Sequence, residues 1–240
     1  MPYPRLKILH VADLHRRWFE FVRVRAREFD LLVVAGDLTD AFSDLSMAQQ
    51  AREASAWLLS LTTPTVIVSG NHDFYRKSAR VAADPHAEAL WLRQLSGRGR
   101  IIATDGESVA FQAAHPPVRI TALGWSQEPL WPPETDILVA HAPPCGVDVA
   151  VEWGGTRDLG DSALWHALQR AARRPRLILS GHVHLPRSTW ARWPAGSSEA
   201  NTTILIPGCD DSAPEPQRWE IDLSRNRATW FGERETVIEL

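Results

Sequence analysis

The sequence predicts an α/β fold, and three observations lead to this prediction. Short apolar runs rich in Val, Ile and Leu recur along the chain, and their length and β-branching are typical of buried strands. Stretches with a 3.6-residue apolar period lie between several of these runs. Other segments alternate apolar and polar residues, as antiparallel hairpins do. Together the patterns predict helices layered on a mixed sheet or on two stacked sheets.

Six apolar runs are the predicted buried strands. Each is too short for a typical helix and is bounded by polar or turn-forming residues. In chain order they read "LKILHVAD", "FDLLVVAGD", "TVIVSGNHD", "DILVAHAPP", "RLILSGHVH" and "TTILIPGCDD".

Helices and hairpins are predicted between and after these strands. Apolar periodicity indicates helices over 43–60 and 160–174, and 16–29 and 85–95 are further helical segments. Period-2 patterns pair "SVAFQAA" with "VRITALGW" and "RWEIDL" with "ATWFGE" as hairpins. The stretch 185–203 contains Pro, Gly and Ser, which favours a long loop or a twisted hairpin over a domain boundary.

Size and composition narrow the class of protein. The 240 residues are 44% apolar and 23% charged, which is typical of a globular chain, and we expect one domain over 1–240. A net charge of -3 gives no overall basic surface, so nucleic acid is a poor expected partner. Two cysteines are too few for a disulfide framework, and no apolar stretch has the length of a signal peptide or a membrane span. We therefore expect a cytoplasmic protein with no membrane partner.

Polar residues follow five of the six predicted strands. Taken singly, most of them also suit a helix cap, a turn or a buried core histidine. The carboxyl ends of strands in an open α/β sheet lie together, so these residues are expected to converge. In "GHVH" the two imidazoles alternate and so point to one side. The converging residues are Asp13, His15, Asp37, Asn71, His72, Asp73, His141, His182 and His184.

The motifs resemble those of one known family. "DLH" at 13–15, "GDLTD" at 36–40, "GNHD" at 70–73, the histidine of "AHAPP" and "GHVH" at 181–184 stand in this order. The set is similar to the D-x-H, G-D-x-x-D, G-N-H-D/E, His and G-H-x-H pattern of the calcineurin-like metallophosphoesterases. The resemblance implies two stacked mixed β-sheets flanked by helices, a four-layer α/β/β/α sandwich.

The resemblance also implies two divalent metal ions. One would be held by Asp13, His15, Asp37 and His184, and the other by Asp37, Asn71, His141 and His182, so that Asp37 bridges. Carboxylates and imidazoles suit first-row metals such as Mn, Fe, Ni or Zn, and this ligand set does not choose among them.

The implied activity is hydrolysis of a phosphodiester or phosphomonoester, by a phosphodiesterase or phosphatase. A hydroxide that bridges the two metals would attack phosphorus. By resemblance, His72 stabilises the phosphoryl oxygens or protonates the leaving alkoxide, with Asp73 as its orienting partner, and Asn71 and His72 also bind the substrate. A turn or helix-cap role stays open for Asp73 and for Asp40.

The substrate is expected to be a small phosphate ester, and "HAPP" and "GDSAL" suggest a nucleotide-like one because they resemble the branch related to cyclic-nucleotide phosphodiesterases. Loops 74–84, 145–162 and 185–203 are expected to set its identity. Trp153 could stack on a ring of the substrate, although packing is the favoured interpretation in a chain with 11 tryptophans.

Two other functions stay open at this point. Some relatives keep the fold as noncatalytic metal-binding modules for protein interaction, but every expected ligand and His72 are present here. Nucleases of the family carry an added DNA-binding or capping domain, and little of this sequence follows "GHVH" to form one.

Overall fold

The computed structural model describes residues 5–74, 90–194 and 202–240. Their strands form a seven-stranded and a six-stranded mixed sheet. In chain order the strands are β1 (Lys7–Val11), β2 (Leu31–Ala35), β3 (Thr65–Val68), β4 (Ile101–Ala103), β5 (Ser108–Phe111), β6 (Val118–Leu123), β7 (Ile137–Ala140), β8 (Leu177–Leu179), β9 (Trp190–Trp193), β10 (Thr202–Leu205), β11 (Arg218–Asp222), β12 (Arg227–Phe231) and β13 (Thr236–Glu239).

The order of the strands places the site-bearing ones at the centre of each sheet. The seven-stranded sheet runs β13-β12-β11-β1-β2-β3-β4, and the six-stranded sheet runs β5-β6-β7-β8-β10-β9. Strands β1, β2 and β3 are parallel to one another, as are β6, β7 and β8. In each sheet, the carboxyl ends of three neighbouring strands therefore lie side by side at the same end of the sheet.

In the described part of the chain, four α-helices cover the sheets: α1 (Phe19–Arg25), α2 (Met47–Ser60), α3 (Leu90–Arg93) and α4 (Ser162–Arg170). Helix α2 begins later than the predicted 43 because the Ser46 side chain accepts a hydrogen bond from the backbone of Gln49. Helix α4 begins after Asp161, whose carboxylate accepts from two backbone N–H groups. Helix α1 continues as a 3-10 turn, Ala26–Glu28, within the predicted 16–29. Of the predicted 85–95, residues 85–89 lie outside the described residues.

Three apolar clusters define the layers. The first cluster lies between the sheets and includes Ile8 and Val139. The second packs the outer face of β1–β3 against α1, α2 and α3. The third packs β7, β8 and β10 against α4. The predicted four-layer α/β/β/α sandwich is thus confirmed. All six predicted strands and both predicted hairpins form, the hairpins as β5–β6 and β11–β12.

The stretch 185–203 is a hairpin where it is described. Strand β9 pairs with β10 in antiparallel register, with Trp193 opposite Thr202 and Trp190 opposite Leu205. Residues 195–201, between the two strands, lie outside the described residues. Across the described ranges, no helix combines the length and the apolar character that crossing a membrane would require.

Candidate metal centre

Two buried aspartates of the site, Asp13 and Asp37, stand two residues after the last residues of β1 and β2. Asp13 and Asp37 have φ values of 52° and 54°, in the left-handed region that non-glycine residues rarely adopt. Such a strained backbone conformation persists only where surrounding contacts stabilise it. Here, backbone N–H groups donate hydrogen bonds to both carboxylates. The N–H of His72 donates to Asp37 Oδ1 at 2.8 Å, and that of His182 donates to Asp13 Oδ2 at 3.0 Å. The last contact crosses from one sheet to the other.

Backbone carbonyls set the tautomers of two imidazoles. Nδ1 of His141 lies 2.7 Å from the carbonyl oxygen of Ala35, and Nδ1 of His15 lies 3.0 Å from that of Thr39. A carbonyl oxygen only accepts, so Nδ1 carries the proton in both rings. When such a ring is neutral, its Nε2 carries the lone pair that points into the cluster. This arrangement is typical of histidines that bind metals.

Nitrogen and oxygen atoms converge on the same space from both sheets. Nε2 of His15 lies 3.2 Å from Nε2 of His184, although the His15 nitrogen has no proton to donate. The amide oxygen of Asn71 lies 3.0 Å from His141 Nε2 and 2.8 Å from His182 Nδ1. Imidazole nitrogens and an amide oxygen at such short distances from one another are suitable ligands for a single cation placed between them.

Among the described residues, three groups of side chains present ligand atoms that lie within 4.8 Å of one another, and each contains Asp13, Asp37 or both. His184 thus lies with the aspartate and histidine of "DLH", as the first implied metal site requires. Asn71 and His182 meet at their own contact. The three groups are Asp13, His15 and His184; Asp13, Asp37 and His141; and His15, Asp37 and His72.

The motif glycines leave room for these ligands. A Cβ on Gly70 would lie 2.1 Å from Asp37 Oδ1, and one on Gly36, whose φ is +90°, would lie 2.4 Å from His141 Nδ1. Any side chain at either position would displace a proposed ligand. The glycines of "GDLTD" and "GNHD" therefore belong to the construction of the site.

Charges inside the cluster shift its titration. Burial alone would raise the pKa of Asp37, but the adjacent His141, His72 and His15 hold it well below its usual value. Burial opposes protonation of His141, yet Asp37 at 3.3 Å raises the pKa of this imidazole to about 9. Burial and His141 lower the pKa of His182 to about 3. Without a cation the protein thus compensates Asp37 with a proton on His141, which a metal would displace.

His72 lies beside these ligands and is held from its Nδ1 side. The backbone N–H of Ala41 donates to His72 Nδ1 at 3.0 Å, and the Asp40 carboxylate lies 3.8 Å from the same atom. The ring contacts His15 and Phe42, with centroids 4.8 and 5.3 Å away. Burial lowers the pKa of His72. The Ala41 contact requires a neutral ring that carries its proton on Nε2.

Asp73 has surroundings that differ from the expectation. Its buried carboxylate accepts from the backbone N–H groups of Asp37 at 2.9 Å, Gly70 at 2.8 Å and Thr39 at 3.0 Å. Within the described residues, no hydrogen bond joins it to the His72 ring. Burial and the charge of Asp37 raise the pKa of Asp73 to about 7. The contacts thus correct the expected orientation of His72 by Asp73: this carboxylate ties "GDLTD" to "GNHD", and Ala41 and Asp40 contact the imidazole.

Three residues around the site were not anticipated. The hydroxyl of Thr39 donates to the carbonyl oxygen of His72 at 2.6 Å. The centroid of the Trp125 ring lies 5.6 Å from that of His141 and 5.1 Å from that of His182. Cys209 Sγ donates to the carbonyl of Asp13 at 3.3 Å. Thr39 lies inside "GDLTD", where its position could have indicated it. Trp125 and Cys209 have no spacing pattern that identifies them.

The motifs and this geometry agree with a comparison against known families. The model of the calcineurin-like phosphoesterases matches residues 6–186. The chain belongs to this family. Family membership supports a metal-dependent phosphoester hydrolase, and the matched range contains every ligand expected from the sequence.

Solved structures share the fold at low identity. One crystal structure, 13% identical, covers 98% of this chain and 99% of its own with a TM-score of 0.62. An archaeal phosphodiesterase is 14% identical over 97% of this chain and 100% of its own, with a TM-score of 0.46. Yfce, a phosphoesterase from E. coli, is 13% identical over 97% of both chains, with a TM-score of 0.42. No curated protein matches this chain. At these identities the likeness shows the fold alone.

Proposed function

We propose that this protein hydrolyses a small phosphate ester with two divalent metal ions bound between the carboxyl ends of the two sheets. The observation that carries the proposal is the convergence of Asp13, His15, Asp37, Asn71, His141, His182 and His184, with ligand atoms facing one another at close range. Family membership supports the reaction class.

The residues fit divalent cations on their own chemistry. The set offers two buried carboxylates, an amide oxygen and four imidazoles, of which His15 and His141 have Nδ1 held by a backbone carbonyl and Nε2 directed at the cluster. We assign one ion to Asp13, His15, Asp37 and His184, and the other to Asp37, Asn71, His141 and His182. Bound in this way, such ions act as Lewis acids and activate water for attack on phosphorus. Mn, Fe, Ni and Zn all suit the set.

His72 binds the substrate phosphate through Nε2. Its Nδ1 is occupied as an acceptor for the Ala41 N–H, so the neutral ring has one proton to offer, and that proton is on the other side of the ring. A neutral imidazole is a good hydrogen-bond donor but a poor acid. Of the two roles that resemblance implies for His72, the contact therefore favours stabilisation of phosphoryl oxygens over protonation of the leaving group.

The carboxylate of Asp73 contributes by position. Its bonds to the backbone of Asp37 and Gly70 hold the loop that presents the bridging carboxylate against the loop that presents Asn71 and His72. Its catalytic contribution is thus indirect, through the geometry of both loops.

A panel assay tests the proposal. The purified chain is stripped with a chelator, reloaded separately with Mn, Fe, Ni or Zn, and assayed on p-nitrophenyl phosphate and bis(p-nitrophenyl) phosphate, with metal content measured by mass spectrometry. We expect about two ions per chain and turnover that depends on them. Full turnover in chelator, or metal binding with no hydrolysis of any ester, would contradict the proposal; the second outcome would favour a noncatalytic module.

A further inference from the structure

The proposed metal ligand His184 lines a groove of about 530 Å³, whose other lining residues lie outside the proposed ligand set. The walls of the groove come from four separate parts of the chain, and two of these lie in loops that the sequence analysis expects to set the identity of the substrate. They include the apolar side chains of Trp153, Leu185, Pro186, Trp190 and Trp230.

The most exposed tryptophan side chain of the groove is that of Trp153. The residue is 74% exposed and the neighbouring Leu185 is 60% exposed, so the favoured interpretation of Trp153 as a packing residue is contradicted. By contrast, Trp57, Trp91, Trp193 and Trp219 are buried in the apolar clusters. An indole left in water beside a reactive centre is a surface on which a flat ligand group can stack.

The backbone fixes this indole relative to the metal ligand. The N–H of Trp153 donates to the carbonyl of Leu185 at 2.7 Å, and the N–H of Arg187 donates to that of Val151 at 2.7 Å. Glu152 and Pro186 form the antiparallel bridge between these contacts. Leu185 directly follows His184, so the loop with Trp153 is tied to the segment that leaves the metal centre. The groove is therefore largely preformed.

The charges along the groove are nearly balanced. The guanidinium of Arg187 donates to the carbonyl oxygen of Gly155 at 2.8 Å and lies 3.4 Å from Asp148. Arg234 has no ion pair within the described residues and stands beside Glu233 at the groove, where Gln217 adds an amide. One free cation and one carboxylate do not select a further phosphate. They suit an uncharged group with donors and acceptors on its edge.

We propose that this groove binds the organic group of the phosphate ester, and that this group is a flat, uncharged heteroaromatic ring stacked on Trp153, as in a nucleoside. The inference rests on the proposed function, because it places the ring beside the metal site at which the ester would be hydrolysed. Uridine 5′-phosphate and ribose 5-phosphate are the matched probes, since both carry the same primary phosphate ester and only the first carries a heteroaromatic ring.

The test compares these two probes by binding and by turnover. Calorimetry on the metal-loaded chain should show uridine 5′-phosphate binding about 5- to 100-fold more tightly, the usual contribution of one stacked base. Trp153→Ala should bring the ratio of the two affinities close to one, and Trp153→Tyr should keep most of it. Leu185→Ala should lower the ratio, whereas Leu130→Ala, a 67% exposed leucine outside the groove, should leave it unchanged.

The outcomes separate this inference from the proposed function. Equal affinities in the wild type, or a ratio that Trp153→Ala does not change, would overturn the groove proposal even if the protein hydrolyses esters well. A preference for the ring that depends on Trp153, found without hydrolysis of any ester, would uphold the groove and contradict the proposed function alone. Where turnover is measurable, the ratio of kcat/KM values for the two esters should follow the ratio of affinities.

Discussion

The two sheets bring different chemistry to the same site. The seven-stranded sheet supplies both carboxylates, the amide and one imidazole, and the six-stranded sheet supplies imidazoles alone. The first set is Asp13, His15, Asp37 and Asn71, and the second is His141, His182 and His184. The carboxylates are buried and bound by backbone N–H groups, whereas the imidazoles range from the 1% exposed side chain of His141 to the 42% exposed one of His184. The negative charge is thus fixed by the backbone, and the imidazoles of the opposite sheet close over it.

Removing the central negative charge should have the largest effect. We expect Asp37→Asn to lower kcat/KM by more than about 10³-fold, beyond the 10²–10³-fold typical of a single electrostatic contact, because the change weakens both proposed ion sites. Ester hydrolysis and metal content by mass spectrometry measure the effect. Asp136→Asn is the matched control, since this carboxylate precedes β7 at the end away from His141. Unchanged metal content and turnover in Asp37→Asn would refute the bridging role.

His72 belongs to the carboxylate sheet but is not an assigned ligand, so its replacement should separate catalysis from metal binding. In His72→Asn the amide oxygen can still accept from the Ala41 N–H, while the Nε2 proton is lost. We expect metal content to stay near wild type and turnover to fall about 10²–10³-fold, equally for an aryl and an alkyl ester. A loss that is clearly greater for the alkyl ester would instead identify His72 as a general acid.

The graded exposure of the imidazoles predicts unequal costs in stability. In metal-free protein, His141→Asn leaves the buried Asp37 charge without its partner and should lower the free energy of unfolding by about 3–5 kcal/mol. His184→Asn removes a half-exposed ring 3.9 Å from Asp13 and should cost at most about 1 kcal/mol. Urea titrations in chelator measure both. Equal losses of stability in the two variants would show that the burial of these imidazoles does not determine how much each one stabilises the metal-free protein.

Much of this architecture follows from the sequence, and the exceptions have physical causes. Strand positions and the identity of the converging residues depend on local apolar runs and on motifs at their ends, which a sequence displays directly. The contacts of Asp73 depend instead on how two loops from neighbouring strands pack together. The exposure of Trp153 depends on a bridge to a segment over 30 residues away, Glu152 to Pro186. Neither relation has a local pattern in the sequence.

One imidazole of the carboxylate sheet also contacts the other sheet away from the site, and it should make the stability of the protein depend on pH. His10 on β1 is fully buried, and its Nε2 donates to the carbonyl of Ser180, next to β8, at 3.0 Å. Burial lowers its pKa to about 4, below the value of 6.5 for an exposed histidine. Between these values the unfolded chain binds more protons than the folded one, so stability must fall as the pH is lowered from about 6.5 to 4.

The size of this loss of stability follows from the change in the pKa of His10 on folding. About 1.4 kcal/mol per pKa unit gives a loss of roughly 3 kcal/mol by pH 4. The measurement is the free energy of unfolding of wild type and His10→Gln in chelator across this range, because glutamine can still donate to Ser180 but does not titrate. The difference between the two curves should shrink by that amount as the pH falls, whereas His166→Gln, at an exposed position on α4, should follow the wild type. Parallel curves for wild type and His10→Gln would mean that His10 has the same pKa in the folded and unfolded chain, and that this contact between the sheets carries no pH dependence.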